Sequence, residues 1–274
     1  FRPCSVRVPS VFKKQEAGMN ILNKIVNDLK PALEERKKLI PQQELQRRIR
    51  EMSAAQSFAA AFLPDRINII AELKKASPSK GIIRADFNFQ ECAIELESAG
   101  AAALSVLTEQ NYFQGSLDYL REVSRLVHIP LLCKDFIVDP YQIFEARLHG
   151  ASAILLIAAL LTPEELQRLA DFAAEAGLEV LGEAHNEAEL KVLLDCRIRV
   201  IGINARDLKT FECDLASAKK LLSQIPADRI AIAESSIRSR KELLSLQDAG
   251  ANGFLIGETL MRAIHPGDKL KELL

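Results

Sequence analysis

A (β/α)8 barrel (TIM barrel), preceded by extra N-terminal helices, is the α/β fold this sequence predicts. Three observations carry that expectation: eight apolar runs of strand length, helical periodicity between them, and glycine-containing turns where helices give way to the next strand. The 274 residues are 48% hydrophobic, enough for one large core. That length also fits two small domains, and the repeat decides for one barrel. A doubly wound open sheet is the runner-up, but no G-x-G-x-x-G turn follows the first strand.

Taken in order, residues 1–18 lack an initiator Met and a periodic apolar pattern, whereas Met19 opens an amphipathic stretch. Residues 1–18 are therefore read as a non-native or disordered extension, and 19–274 as one barrel domain. Within it, 19–63 form the extra helices and 67–274 the barrel. From Ile21 to Leu39 apolar residues recur at helical spacing, with Pro31 marking a kink or break; a second helical pattern runs from Gln43 to Phe62. The strand runs are INIIAEL, ALSVLT, PLLCKDF, AILLIAA, EVLGEAH, VIGINARD, RIAIAESS and GFLIGETL. Helical patterns separate them, at Phe89 to Ser98, Ser116 to Val127, Pro140 to Leu148, Thr162 to Ala176, Asn186 to Leu194, Leu215 to Gln224 and Ser239 to Asp248, with a last one from Pro266 to Leu274. Gly100, Gly150, Gly177 and Gly250 stand where left-handed helix C-caps belong.

Charge excludes some functions. Lys+Arg 36 against Asp+Glu 37 gives a net charge of −1, so no global field favours nucleic acid or an anionic membrane, and an anionic ligand must be held locally. No apolar run reaches the roughly 18 residues of a membrane span and no secretory signal is legible, so a soluble cytoplasmic protein is expected. Five scattered cysteines (Cys4, Cys92, Cys133, Cys196, Cys213) without a C-x-x-C pair suggest neither a disulfide framework nor a zinc cluster. The histidines (His128, His149, His185, His265) lack metal-ligand spacing, so no metal is expected and surface roles are the default.

Strands buried on both faces should read as continuous apolar runs, yet these end in Glu72 and Lys74, Lys134, Glu183, Asn204, and Glu234. In a parallel barrel those carboxyl ends meet around one mouth. Lysines and carboxylates gathered there perturb one another's proton affinities, which suits general acid–base catalysis; the alternative is an ion-pair network sealing the mouth. The turn Ser77-Pro78-Ser79-Lys80-Gly81 and the late loops at Ser235-Ser236 and Gly257-Glu258-Thr259 offer hydroxyls and backbone N–H donors where barrels often bind phosphate, implying a phosphorylated substrate.

With these residues in view, the chain from about Met19 to Leu274 resembles the indole-3-glycerol phosphate synthase family, through IIAELKKASPSKG, LTEQNYFQGS, LLCKDFIVDPYQI, GINARDL, IAESSI and FLIGETLMR. The resemblance implies tryptophan biosynthesis: 1-(2-carboxyphenylamino)-1-deoxyribulose 5-phosphate closes to indole-3-glycerol phosphate with loss of carbon dioxide and water, without metal or organic cofactor. It also implies roles. Lys134 is the general acid on the substrate ketone, Glu183 the second acid/base group acting with Lys74, and Glu72 the carboxylate that holds Lys134 in place. Lys74 further attracts the substrate carboxylate, and the helix from Ile21 to Leu39 matches the family's extra N-terminal helices capping the barrel mouth. Asn204 and Glu234 orient hydroxyls and the anilino nitrogen, and Arg206 orders the mouth near Asn204. Ser77, Ser235, Ser236, Gly257 and Glu258 fall on phosphate-binding positions, and Phe113 and Phe136 on the walls around the anthranilate ring, with core packing as the alternative.

Two positions depart from the family pattern: Ser236 stands where Gly is usual and Glu258 where Ser is usual. The first change is expected to be mild provided φ stays negative. A carboxylate beside phosphate would repel it, so Glu258 is expected to turn away and offer only its N–H. Rival readings are a barrel resembling phosphoribosylanthranilate isomerase, an inactive scaffold barrel, and a Schiff-base lysine at 134. The isomerase would use a Cys/Asp pair, and Cys133 should face away from the mouth. A monomer or homodimer is expected, with pathway partners possible.

Overall fold

The computed structural model describes residues 21–206 and 213–274; the extension expected at 1–18, with Met19 as its suggested boundary, lies outside the described residues. Eight parallel strands close into a barrel in chain order: β1 Ile69–Leu73, β2 Ala103–Leu107, β3 Leu131–Lys134, β4 Ala153–Ile157, β5 Glu179–Ala184, β6 Val200–Asn204, β7 Ile230–Glu234 and β8 Gly253–Ile256. The seam is hydrogen-bonded like every other joint, since β1 pairs with both β2 and β8. A short hairpin, Ala76–Ser77 with Gly81–Ile82, stands in the loop after β1, where only a turn was expected.

The helices are α1 Ile21–Leu39, α2 Gln42–Arg50, α3 Phe89–Ser98, α4 Leu117–Val123, α5 Pro140–Leu148, α6 Pro163–Glu175, α7 Glu187–Asp195, α8 Leu215–Leu222, α9 Arg240–Gln247, the one-turn α10 Glu258–Met261, and α11 Pro266–Leu273. None among the described residues is long and apolar enough to cross a membrane. Their starts follow from local chemistry. Asp139, Thr162 and Ser239 form capping boxes with Gln142, Glu165 and Glu242, and Pro140 and Pro163 open their helices, where the missing N–H costs nothing. Gly100, Gly150, Gly177 and Gly250 all take positive φ at helix ends, as their positions predict.

Two expectations about the N-terminal helices change. α1 runs through Pro31 without a break. The pattern read as one helix from Gln43 to Phe62 is helical only to Arg50, followed by extended chain and a single 3-10 turn at Ala59–Ala61. Tertiary burial overrides local propensity there: the extended tether delivers Phe58, fully buried, into the barrel's inner cluster beside Ile70, Leu132, Leu181 and Ile232.

The core has two layers, and strand parity assigns each residue to one of them. Ile69 and Ala71, Leu131 and Cys133, Ile154 and Leu156, and Ile201 and Ile203 pack outward under the helices; Ile70, Leu132, Leu155, Leu181, Val200, Ile232 and Leu255 point inward. Continuing the inward parity along each strand reaches Glu72, Lys134, Glu183, Asn204 and Glu234. Register puts them at one level, with Asn204 beside Glu234 and with Lys134 and Glu183 at the carboxyl ends of their ladders.

Candidate active site

At the carboxyl ends of the strands lies a cavity of about 510 Å3. Every residue singled out from the sequence as a site candidate lines it: Glu72, Lys74, Ser77, Phe113, Lys134, Phe136, Glu183, Asn204, Arg206, Glu234, Ser235, Ser236, Gly257 and Glu258. Lys134 is the hub. Its Nζ donates to Glu234 Oε2 at 2.7 Å and to Glu183 Oε2 at 3.0 Å, and its side chain is only 12% exposed.

Among the described residues no hydrogen bond joins Glu72 to Lys134; the Glu72 carboxylate accepts from Lys74 Nζ. Residues 72 and 74 share strand parity, so the two side chains meet beside the hub rather than in it. Burial disfavours the Lys134 ammonium, but Glu234, Glu183 and, through space, Glu72 override it and hold the lysine charged. Burial also opposes ionising both glutamates, with opposite outcomes. Lys134, His185 and a hydrogen bond from the Asn204 side chain keep Glu183 below the usual carboxylate range. Glu234 is held above it by burial and by Glu183, despite Lys134. Its Oε1 is buried with no hydrogen-bond partner among the described residues, which further favours a proton there.

Two glycines make this arrangement possible. A Cβ on Gly202 would lie 2.1 Å from Glu234 Oε1, and one on Gly257 would lie 2.2 Å from Glu72 Oε1. The carboxylates occupy space that any other residue would fill.

The walls divide by chemistry. Phe113 and Phe136, with ring centroids 6.0 Å apart, line the apolar side with Leu107, Leu155 and Ile157. Ile21, Leu22 and Ile25 of α1 complete it. Phe113 is held by Glu109, a buried carboxylate that accepts from the backbone N–H groups of Asn111, Tyr112 and Phe113 at 2.7–3.0 Å. Around the opposite side run Ser77, Ser235, Ser236 and Gly257, together with Lys74, Arg238 and Arg262. Asn204 Oδ1 accepts from Ser235 Oγ at 2.7 Å and from the Arg206 N–H at 3.0 Å, so Arg206 does meet Asn204, through its backbone.

The two family departures resolve differently. Ser236 has φ +59° and Ser235 φ +71°, so the condition for a mild change fails and a serine sits in left-handed backbone that glycine tolerates better. Glu258 pairs with Arg262 Nε at 2.9 Å; although burial opposes ionisation, Arg262 holds the carboxyl below its ordinary range. The carboxylate is thus engaged, while the residue still lines the cavity.

Sequence reading missed several groups. Arg262 closes the FLIGETLMR motif and Arg238 follows IAESSI, but neither drew a role there, although the i,i+4 spacing of Glu258 and Arg262 was legible. Asp135 also lines the cavity; burial pushes it up to about 6, against hydrogen bonds from Thr108 Oγ1 and the Phe136 N–H. His185, expected at the surface, is instead nearly buried behind Glu183, with Nε2 3.4 Å from Glu183 Oε1. Cys133 packs in the outer layer, its Sγ 3.4 Å from Thr108 Oγ1, and burial pushes its thiol far up.

A sequence profile described as indole-3-glycerol phosphate synthase matches residues 22–273. The chain belongs to the indole-3-glycerol phosphate synthase family. Curated relatives of that name include one from Alkaliphilus metalliredigens, 45% identical over 254 residues, covering 92% of this chain and 97% of the relative. Another, from Koribacter versatilis, is 52% identical over 208 residues, covering 76% of this chain and 80% of the relative. Solved structures share the barrel at low identity. The tryptophan synthase alpha-subunit of Pyrococcus furiosus superposes with a TM-score of 0.58 at 18% identity, covering 75% of this chain and 97% of that one. For a 3-hexulose-6-phosphate synthase the TM-score is 0.62 at 12% identity, covering 76% and 98%. These two likenesses concern the fold alone.

Proposed function

We propose that this family member is an indole-3-glycerol phosphate synthase, a carboxy-lyase that closes 1-(2-carboxyphenylamino)-1-deoxyribulose 5-phosphate to indole-3-glycerol phosphate. The observation that carries the reading is Lys134, a buried ammonium donating to two carboxylates of opposed proton affinity, between apolar walls on one side and hydroxyls and cations on the other. The anthranilate ring suits the Phe113 and Phe136 side. The phosphate suits the side bearing Ser77, Ser235, Ser236 and the Gly257 and Glu258 backbone, with Lys74, Arg238 and Arg262 supplying positive charge.

The chemistry follows from that orientation. The ring carbon bearing the carboxylate attacks the ketone carbon, and Lys134 delivers a proton to the ketone oxygen as charge develops there. Carbon dioxide leaves, its bonding pair returning to the ring. The new hydroxyl then departs as water after accepting a proton, and the methylene beside nitrogen loses one, giving the indole. Glu183 with Lys74 serves these later transfers, and Asn204 and Glu234 orient the polar chain. When Lys134 gives up its proton the two glutamates lose their shared cation, and Glu234, already inclined toward protonation, is the group that absorbs the change.

Incubation with the carboxyphenylamino-deoxyribulose phosphate tests the reading: indole fluorescence should appear, and Lys134→Ala should abolish it. An inactive scaffold gives no signal, whereas an isomerase forms this compound from phosphoribosylanthranilate. The outward packing and raised thiol of Cys133 speak against the isomerase. Borohydride reduction with substrate checks the Schiff-base alternative, and a reduced adduct on Lys134 would replace the general-acid role.

A further inference from the structure

Behind Glu183, on the side away from Lys134, the imidazole of His185 bridges two carboxylates. Its Nδ1 lies 3.1 Å from Glu189 Oε2, in the first turn of α7, and its Nε2 lies 3.4 Å from Glu183 Oε1. The same Glu189 oxygen accepts the His185 backbone N–H at 2.8 Å, so one carboxylate fixes both the ring and the chain at the end of β5. Nε2 is buried and has no hydrogen-bond partner among the described residues, although an acceptor stands at ion-pair distance. A buried nitrogen oriented in this way is placed to act on the carboxylate of Glu183.

We propose that His185, clamped by Glu189, is a positioning residue for Glu183, orienting its Oε1 while Oε2 serves Lys134. The inference rests on the acid/base role proposed for Glu183. It parallels the way a second carboxylate fixes the tautomer and aim of a catalytic imidazole, here with the roles exchanged. The charged groups facing the ring are Glu183 and Glu189, with Glu234 farther off and Lys134 beyond Glu183. Burial lowers the proton affinity of the ring, but the hydrogen bond to Glu189 and the charge of Glu183 outweigh it, so the imidazolium persists above the ordinary histidine range. A cation on each side of Glu183 accounts for its depressed proton affinity despite burial.

The test compares the wild type with His185→Gln, Glu189→Gln and Glu183→Gln. In wild type the His185 imidazole, followed by NMR in isotopically labelled protein, should titrate above about 6.5; in Glu189→Gln it should titrate at lower pH. His185→Gln should lower kcat about 10–100-fold with KM within twofold, and the acid limb of its kcat profile should move to higher pH, because Glu183 without the cation takes a proton more readily. A purely structural histidine would leave that limb in place. Should His185→Gln fail to fold, Glu189→Gln carries the same readouts with smaller shifts. If Glu183→Gln retains full turnover, the role of Glu183 falls and this inference with it. If Glu183→Gln is inactive while the other two variants keep wild-type kcat and acid limb, the positioning role alone is overturned.

Discussion

Lys134 sits between two glutamates that burial and charge drive to opposite proton affinities, and that opposition fixes the sign of several measurements. Glu183 has a depressed folded-state pKa, so it adds stability that is present above the unfolded carboxylate value of about 4.3 and lost as pH falls through the folded value. Glu234 is raised, so ionising it costs stability once pH exceeds that unfolded value. Glu183→Gln should therefore lower the Tm at pH 8, and Glu234→Gln should raise or preserve it, with both differences shrinking at pH 4; thermal melts at the two pH values check this. Lys134→Arg keeps the charge but not a releasable proton, and its kcat should fall by about 10²–10⁴. Ser236 offers a separate test: with φ +59°, Ser236→Gly should gain about 0.5–1 kcal/mol in urea unfolding by removing left-handed strain. The identities of Lys134, Glu183 and Glu234 were legible because a charge ending an apolar strand needs a reason. The partner of Glu72 was not, because three carboxylates at one rim compete for two lysines and only the coordinates choose.

α1 is the element whose placement matters most to the cavity and was least legible. Its amphipathic pattern marked a helix, and the resemblance suggested a cap. The contacts that dock it lie far along the chain: Arg36 to Glu145 at 2.8 Å, Lys37 to Asp139 at 2.6 Å, and the Tyr112 hydroxyl to Asp28 at 2.5 Å. These ties secure the middle and carboxyl end of the helix, so that Ile21, Leu22 and Ile25 at its start reach over the mouth. Arg36→Ala removes the partner of the mostly buried Glu145. It should cost about 1–2 kcal/mol and raise KM several-fold with a smaller effect on kcat, measurable by steady-state assay and urea unfolding. The loop carrying Phe113 obeys the same logic, since its shape depends on Glu109, whose acceptor role toward three backbone N–H groups leaves no pattern in sequence.

For the whole molecule, period-2 parity on eight strands sorts side chains into an inner and an outer core and delivers the last inward residues to one rim. That much was readable, since strand count, direction and the converging charges follow from repeated local patterns. The plug was not. Phe58 reaches the inner cluster from a segment that looks helical, and only its complete burial reveals its use. Phe58→Ala should cost about 3–5 kcal/mol in urea unfolding while kcat is retained, because the lost ring packs within the inner cluster and does not line the cavity. The glycines beneath the carboxylates have a practical meaning for anyone redesigning the barrel. Positions 202 and 257 form a floor without slack, where even one methyl displaces Glu234 or Glu72. Libraries that seek new substrates should leave this floor alone and diversify Phe113, Leu155 and Ile157, where shape can vary without disturbing the proton-transfer groups.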